Sequence, residues 1–140
     1  MNYLFYDLET TGLCESFDQI VRFAAILSDE NLDIIDKYEI SIQLRPDVVP
    51  SPYALIVPRL GINDITSGIS EYDALKQIHK IFNQPNQINL GYNSLNFDNN
   101  MLRFGFYRNL LDPYSHQYKN NSFRADIMNI NLFTTYIKMM

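Results

Sequence analysis

Residues 5–13 read FYDLETTGL, an apolar run that ends in two carboxylates, Asp7 and Glu9, set two residues apart. In a strand, residues i and i+2 point to the same face, so the two acids project together. Carboxylates held side by side repel each other and resist ionisation. A divalent cation relieves that repulsion, and hard oxygen ligands suit Mg²⁺ or Mn²⁺. The competing reading is two solvated acids at a strand end. Residues 90–100, LGYNSLNFDNN, form a second constellation. A short strand ends at Gly91, and Phe97-Asp98 opens a helix. An acid there is favourable through the helix dipole alone. If the two strands are neighbours, Asp98 becomes a third carboxylate beside Asp7 and Glu9.

The elements that must position these acids follow from periodicity and breakers. Residues 3–8 read as a central strand, 10–16 as a loop, 20–28 as a second strand and 34–44 as a third, giving an antiparallel meander. Residues 45–69 hold Pro46, Pro50, Pro52 and Pro58 and predict an irregular segment with one helical turn. Ser70, with Asp73 three residues on, reads as an N-cap. Leu75, Ile78 and Phe82 then follow at helical spacing up to Pro85. Residues 88–92 predict a buried strand, residues 98–110 a helix, and residues 124–140 a helical tail. The expected class is α/β, a mixed central sheet with flanking helices.

The chain has 140 residues, 46% of them hydrophobic, and a net charge of −5. That suits one domain with a real core. It disfavours a protein that grips nucleic acid by bulk charge, but not an enzyme whose acids hold metal. The single cysteine, Cys14, cannot pair internally, which fits a reducing cytoplasm. The first residues lack the charge and apolar run of a signal peptide. No stretch approaches the ~18 apolar residues of a membrane span.

Taken together, FYDLETTGL, DQIVRFAAI, VPSPYAL, GYNSLNFDNN and FYRNLLDPY resemble the DEDD superfamily of 3′→5′ exonucleases. Within it they look most like the bacterial exonuclease I branch, which acts on single-stranded DNA in DNA repair. The likeness runs from about Tyr3 to about Asp126. It implies a ribonuclease-H-like fold and two-metal hydrolysis of phosphodiesters, with two Mg²⁺ or Mn²⁺ ions in an intact family member. It maps Asp7, Glu9 and Asp98 onto three of the four metal-binding, catalytic acids. It also places Glu9, Thr10, Thr11 and Leu13 around the terminal nucleotide. Arg103, Tyr114 and Tyr118 fall where the single strand would be touched, an Arg for phosphate and aromatics for stacking. The implied partner is single-stranded nucleic acid, DNA rather than RNA, and no membrane.

The sequence departs from the family at the fourth acid, which the superfamily supplies from its last helix as His-x-x-x-x-Asp or Tyr-x-x-x-Asp. Five residues after His79 stands Gln84, and five after His116 stands Asn121. Asp112 and Asp126 are the only later acids, and neither fits the spacing. The expectation is therefore an N-terminal part of such a domain, residues 1–140, without the helix that bears the fourth acid. Its activity should be weak or absent, and its uncovered C-terminal side is open to self-association. The alternative is a non-catalytic remnant that binds nucleic acid or protein.

Overall fold

The strand that carries the two acids is also the one around which the sheet is built. In the computed structural model, which describes residues 1–119 and 121–140, β1 (Asn2–Thr10) lies third in a five-stranded sheet of order β3-β2-β1-β4-β5. Here β2 is Ile20–Ser28, β3 Ile34–Ser41, β4 Gln87–Gly91 and β5 Phe123–Asp126. The first three strands form the antiparallel meander. β4 and β5 join parallel to β1 and to β4 respectively. The mixed α/β architecture matches the expectation.

Alternation along β1 separates two faces. Leu4, Tyr6 and Leu8 are buried, and Tyr6 and Leu8 lie opposite Ala25 and Phe23 of β2. This face takes the helices α3 (Glu71–Phe82) and α4 (Asp98–Arg108), which contribute Ala74, Leu75, Ile78, Phe82, Met101, Leu102 and Phe106 to the core. Ser70 caps α3 by accepting the Asp73 N–H at 3.1 Å, as its position predicts. The other face carries Phe5 beside Ile26 and Leu90, and Ile88 beside Phe123. Ile26 and Phe123 remain 40% and 50% exposed.

The structure differs from the sequence-based expectation in three places. Residues 45–69 hold two short helices, α1 (Pro52–Ile56) and α2 (Ile62–Thr66), rather than one turn. β3 stops at Ser41: the Ile42 N–H still donates to Val21 of β2 at 2.9 Å, but the next residues bond to the segment around α2, the Gln43 N–H to the Ile69 carbonyl at 2.9 Å and the Leu44 N–H to the Ile65 carbonyl at 2.7 Å. The tail begins as a strand before it becomes α5 (Ile127–Met139). Four residues are too few to show a strand period, and only the neighbouring β4 makes β5 a strand. α5 itself buries none of its residues.

His116 is an unexpected member of the core. The 3₁₀ turn Ser115–Gln117 inserts its ring edge-on between Phe82 and Phe106, with centroids 5.7 and 5.5 Å away. Neither ring nitrogen has a hydrogen-bond partner. Burial, then His79 and Arg124, push its pKa down to about 4, against a smaller pull from Asp112. A depressed imidazole contributes stability that is present above its unfolded pKa of ~6.5 and is lost as pH falls through its folded value. Urea denaturation should therefore show His116→Phe losing less stability than the wild type between about pH 6.5 and 4. The gap should widen by no more than ~1.4 kcal/mol per pH unit. Parallel profiles would mean that the ring is not carried neutral in the fold.

Candidate active site

Asp7 and Glu9 leave the exposed face of β1 close to its C-terminal end, Asp7 exposed and Glu9 half-buried. The β1–β2 register slips between Glu9 and Thr10, which turns the chain out of the sheet just past the second acid. Arg22 lies opposite Glu9 across β2 and pairs with Glu39. Burial and the neighbouring Asp7 push the Glu9 pKa above the usual carboxylate range, and Arg22 partly offsets them.

Asp98 is the first residue of α4 and is 8% exposed. Its pKa is raised to about 7, first by burial, then by Asp7, Asp126 and, more weakly, Glu9, although a backbone hydrogen bond works the other way. The three acids singled out in the sequence thus share one electrostatic field. Among the described residues, no three carboxylate, imidazole or thiol groups form a ready-made ion cage.

Asp126 joins this field although its spacing gave it no role. It is buried, and it accepts the backbone N–H groups of Asn93 and Leu95 at 2.9 and 3.1 Å and that of Met128 at 2.9 Å. It therefore holds the loop that delivers Asp98 and caps α5. The available signal was an Asp directly before an apolar helical run, an N-cap pattern. The same loop depends on Gly91. A Cβ there would stand 2.4 Å from Ser94 Cβ and 3.2 Å from the Tyr6 ring, so only glycine lets the chain turn so tightly.

The loop after Glu9 is held from within. The Thr10 hydroxyl donates to the Gly12 carbonyl at 2.8 Å. The Thr11 hydroxyl donates to Asp18 at 2.7 Å and accepts the Gln19 N–H at 2.9 Å, while the Thr11 N–H donates to the Gln19 carbonyl. Thr11 is fully buried. Its hydroxyl and its N–H are both engaged with Asp18 and Gln19. Leu13, by contrast, is 85% exposed. It lines a cleft of about 480 Å³ together with Glu9, Thr10, Tyr53, Val57 and Phe97. A cleft of that size with apolar walls and one acid suits a single planar ring system with a polar edge.

Arg103 stands over the rings of Phe104 and Tyr114, 5.1 and 6.0 Å from their centroids. With Tyr107 and Pro113 they line a separate open groove. Tyr118 is exposed, and Lys119 stands over its ring at 5.8 Å. The structure thus brings Arg103 and Tyr114 together, while Tyr118 does not line their groove.

A mixed sheet whose central strand presents acids at its C-terminal end, faced by a helix that opens with a third, defines a ribonuclease-H-like nuclease domain. The chain belongs to the exonuclease family of the RNase T type, which matches residues 4–138. It is 36% identical over 132 residues to exodeoxyribonuclease I of Buchnera aphidicola subsp. Schizaphis graminum, a match covering 93% of this chain and 27% of the relative. It is 31% identical to exodeoxyribonuclease I of Escherichia coli, covering 91% of this chain and 27% of that one. Its fold superposes on E. coli exonuclease I in complex with a dA16 oligonucleotide with a TM-score of 0.91 at 29% identity, over 96% of this chain and 30% of the other. The chain therefore spans about a third or less of the length of these relatives.

The raised pKa of Asp98 has a consequence for stability. A carboxyl whose folded pKa lies above its unfolded one contributes stability below the unfolded value and loses it as pH rises through the folded value. In EDTA, Asp98→Asn should be spared the wild-type loss between about pH 4 and 7. Its stability relative to wild type should rise across that window, by at most ~1.4 kcal/mol per pH unit. The trend is opposite to that of His116, so the two variants read the two groups separately. A flat difference profile from urea denaturation would place Asp98 outside the shared field.

Proposed function

We propose that this chain is the metal-binding and nucleotide-binding part of a 3′→5′ exonuclease that removes nucleotides from single-stranded DNA in the cytoplasm. The observation that carries this reading is the shared field of Asp7, Glu9 and Asp98 beside a base-sized cleft. The donor chemistry fits divalent ions. All three groups are hard carboxylates, and the like-charge repulsion that adds to burial in raising Glu9 and Asp98 is the kind a bound cation relieves. Asp7, Glu9 and Asp98 would hold Mg²⁺ or Mn²⁺, two ions in an intact site, which supply an activated water and charge stabilisation at the leaving oxygen.

The remaining work falls to groups of the chain. Leu13, Val57 and Phe97 offer apolar walls for the terminal base. Glu9, at the edge of the same cleft, joins base pocket to carboxylate site. Arg103 and Tyr114 offer a phosphate contact and a stacking surface for the strand beyond. DNA is favoured over RNA by the exodeoxyribonucleases that the chain resembles.

The base and fourth carboxylate are the weak point. Asp126 commits its oxygens to three backbone N–H groups, and no later His or Tyr stands before an acid at the required spacing. General-base help is typically worth ~10²–10⁴-fold, so the chain by itself should be a feeble nuclease. The same observation favours the second reading, a non-catalytic domain that binds single strands. The exposed apolar face of the sheet and α5 leave room for a covering partner or a second copy in either case.

A 5′-labelled single-stranded oligonucleotide with Mg²⁺ or Mn²⁺ tests the two readings. Slow stepwise shortening that disappears in Asp7→Ala supports the exonuclease. Absence of shortening, with Mn²⁺ binding by calorimetry that is lost in Asp7→Asn, supports the binding domain. Shortening or metal binding unaffected by either substitution overturns the site.

The strand path has its own test. Tyr114→Ala should weaken single-strand binding in anisotropy titrations by about fivefold or more, since stacking is worth ~1–3 kcal/mol per base. Binding by the wild type should also fall with added salt. An unchanged affinity would remove the Arg103–Tyr114 groove from the strand path.

A further inference from the structure

The cleft beside Glu9 has two walls that come from separate parts of the chain. One is the loop after β1, with Gly12 and Leu13. The other is α1 with its flanks, through Tyr53, Ala54 and Val57. The first is tied to a buried carboxylate. Glu71, in the first turn of α3 and 8% exposed, accepts Arg108 from the end of α4 at 3.1 Å and Arg45 at 3.1 Å. Asn109 adds a longer contact at 3.4 Å.

Arg108 then reaches onward to that wall, whereas the other side-chain partner of Arg45 is Asp47. Arg108 donates to the carbonyls of Ser16 and Asp18, both at 3.2 Å, at the far end of the Leu13 loop. Asp18 passes the constraint inward, accepting the Thr11 hydroxyl at 2.7 Å and the Cys14 N–H at 2.8 Å. It also packs so closely on Gly12 that a Cβ there would lie 2.5 Å from its carboxylate. The backbone N–H of Arg45 donates to the Gln19 side chain at 2.9 Å, and Gln19 in turn donates to the Gln43 carbonyl at 2.9 Å. The segment that Arg45 begins enters α1 through Ser51, whose N–H donates to the Thr11 carbonyl at 2.7 Å.

We infer that Arg108, gathered with Arg45 on Glu71, is a positioning residue that sets the place of the Leu13 wall and so the fit of a terminal nucleotide. The inference rests on the reading of that cleft as the nucleotide pocket. Its physical basis is that a buried carboxylate must keep its cations close, since breaking such a pair is far costlier than making it is profitable. The guanidinium fork lets Arg108 satisfy the acid and two carbonyls at once. A lysine can keep the charge but not that geometry.

A mononucleotide isolates the cleft from the strand groove. Thymidine 5′-monophosphate should be titrated into the 140-residue chain in EDTA and followed through the amide shifts of Gly12 and Leu13. Leu13→Ala should weaken binding by about fivefold, a typical share for one apolar wall. Arg108→Lys should weaken it by a similar factor while leaving the melting temperature close to wild type, because the Glu71 charge stays paired. The double variant should bind about as weakly as either single one, since a displaced Leu13 has nothing more to lose. If Arg108→Lys fails to fold, Asp18→Asn tests the same link from the loop side.

Weakening by Leu13→Ala with no effect of Arg108→Lys, or of Asp18→Asn in its place, overturns the positioning role and leaves the pocket standing. So does a double variant whose losses multiply. Binding that ignores Leu13→Ala overturns the pocket, and the positioning role with it.

Discussion

Repulsion between like charges is the constraint around which this domain is arranged. Asp7 and Glu9 leave β1 on one face, and Asp98 and Asp126 come to the same end of the sheet from α4 and β5. Burial comes first in raising the pKa values of Glu9 and Asp98, and that crowding adds to it. A soluble domain with no use for these acids would gain by spreading them. Here the backbone holds them together through specific devices: the register slip after Glu9, the side-chain-free turn at Gly91 and the three N–H groups that anchor Asp126. Binding sites are commonly maintained in this way, with local destabilisation offset by rigid surroundings.

Much of this was legible in the sequence because it rests on short-range rules. Asp7 and Glu9 had to share a face once residues 3–8 were a strand. Asp98 had to sit at a helix start once Phe97 ended the loop. Leu75, Ile78 and Phe82 had to turn inward together. The illegible parts all depend on contacts between distant segments. β5 exists only because β4 offers an edge, and β3 ends early because Gln43 and Leu44 bond to the segment around α2. Asp126 was set aside because it fits no catalytic spacing. It reaches the site through the sheet order, which no local pattern encodes.

The hydroxyls of Thr10 and Thr11 show how a correct motif can mislead about individual atoms. Residue type allowed both to face a ligand, yet both hydroxyls are bonded within the loop. A loop beside a binding cleft must satisfy its own backbone and side-chain donors before it can hold a shape. What is left facing the cleft from this loop includes the exposed Leu13.

The two faces of the sheet also divide the labour. The face under α3 and α4 supplies cohesion, with Phe23, Phe82 and Phe106 fully buried in it. The face with Asp7 and Glu9 carries the chemistry and remains partly open, with Phe5, Ile26 and Phe123 on view. An acid on a fully covered face would be dry and hard to ionise. On an open face it stays accessible to ions and substrate, but the apolar residues beside it then meet water. The position of the site on the sheet and the exposed apolar strip next to it are therefore two results of one choice. Whatever covers that strip must come close to the carboxylates, and so is placed to influence them.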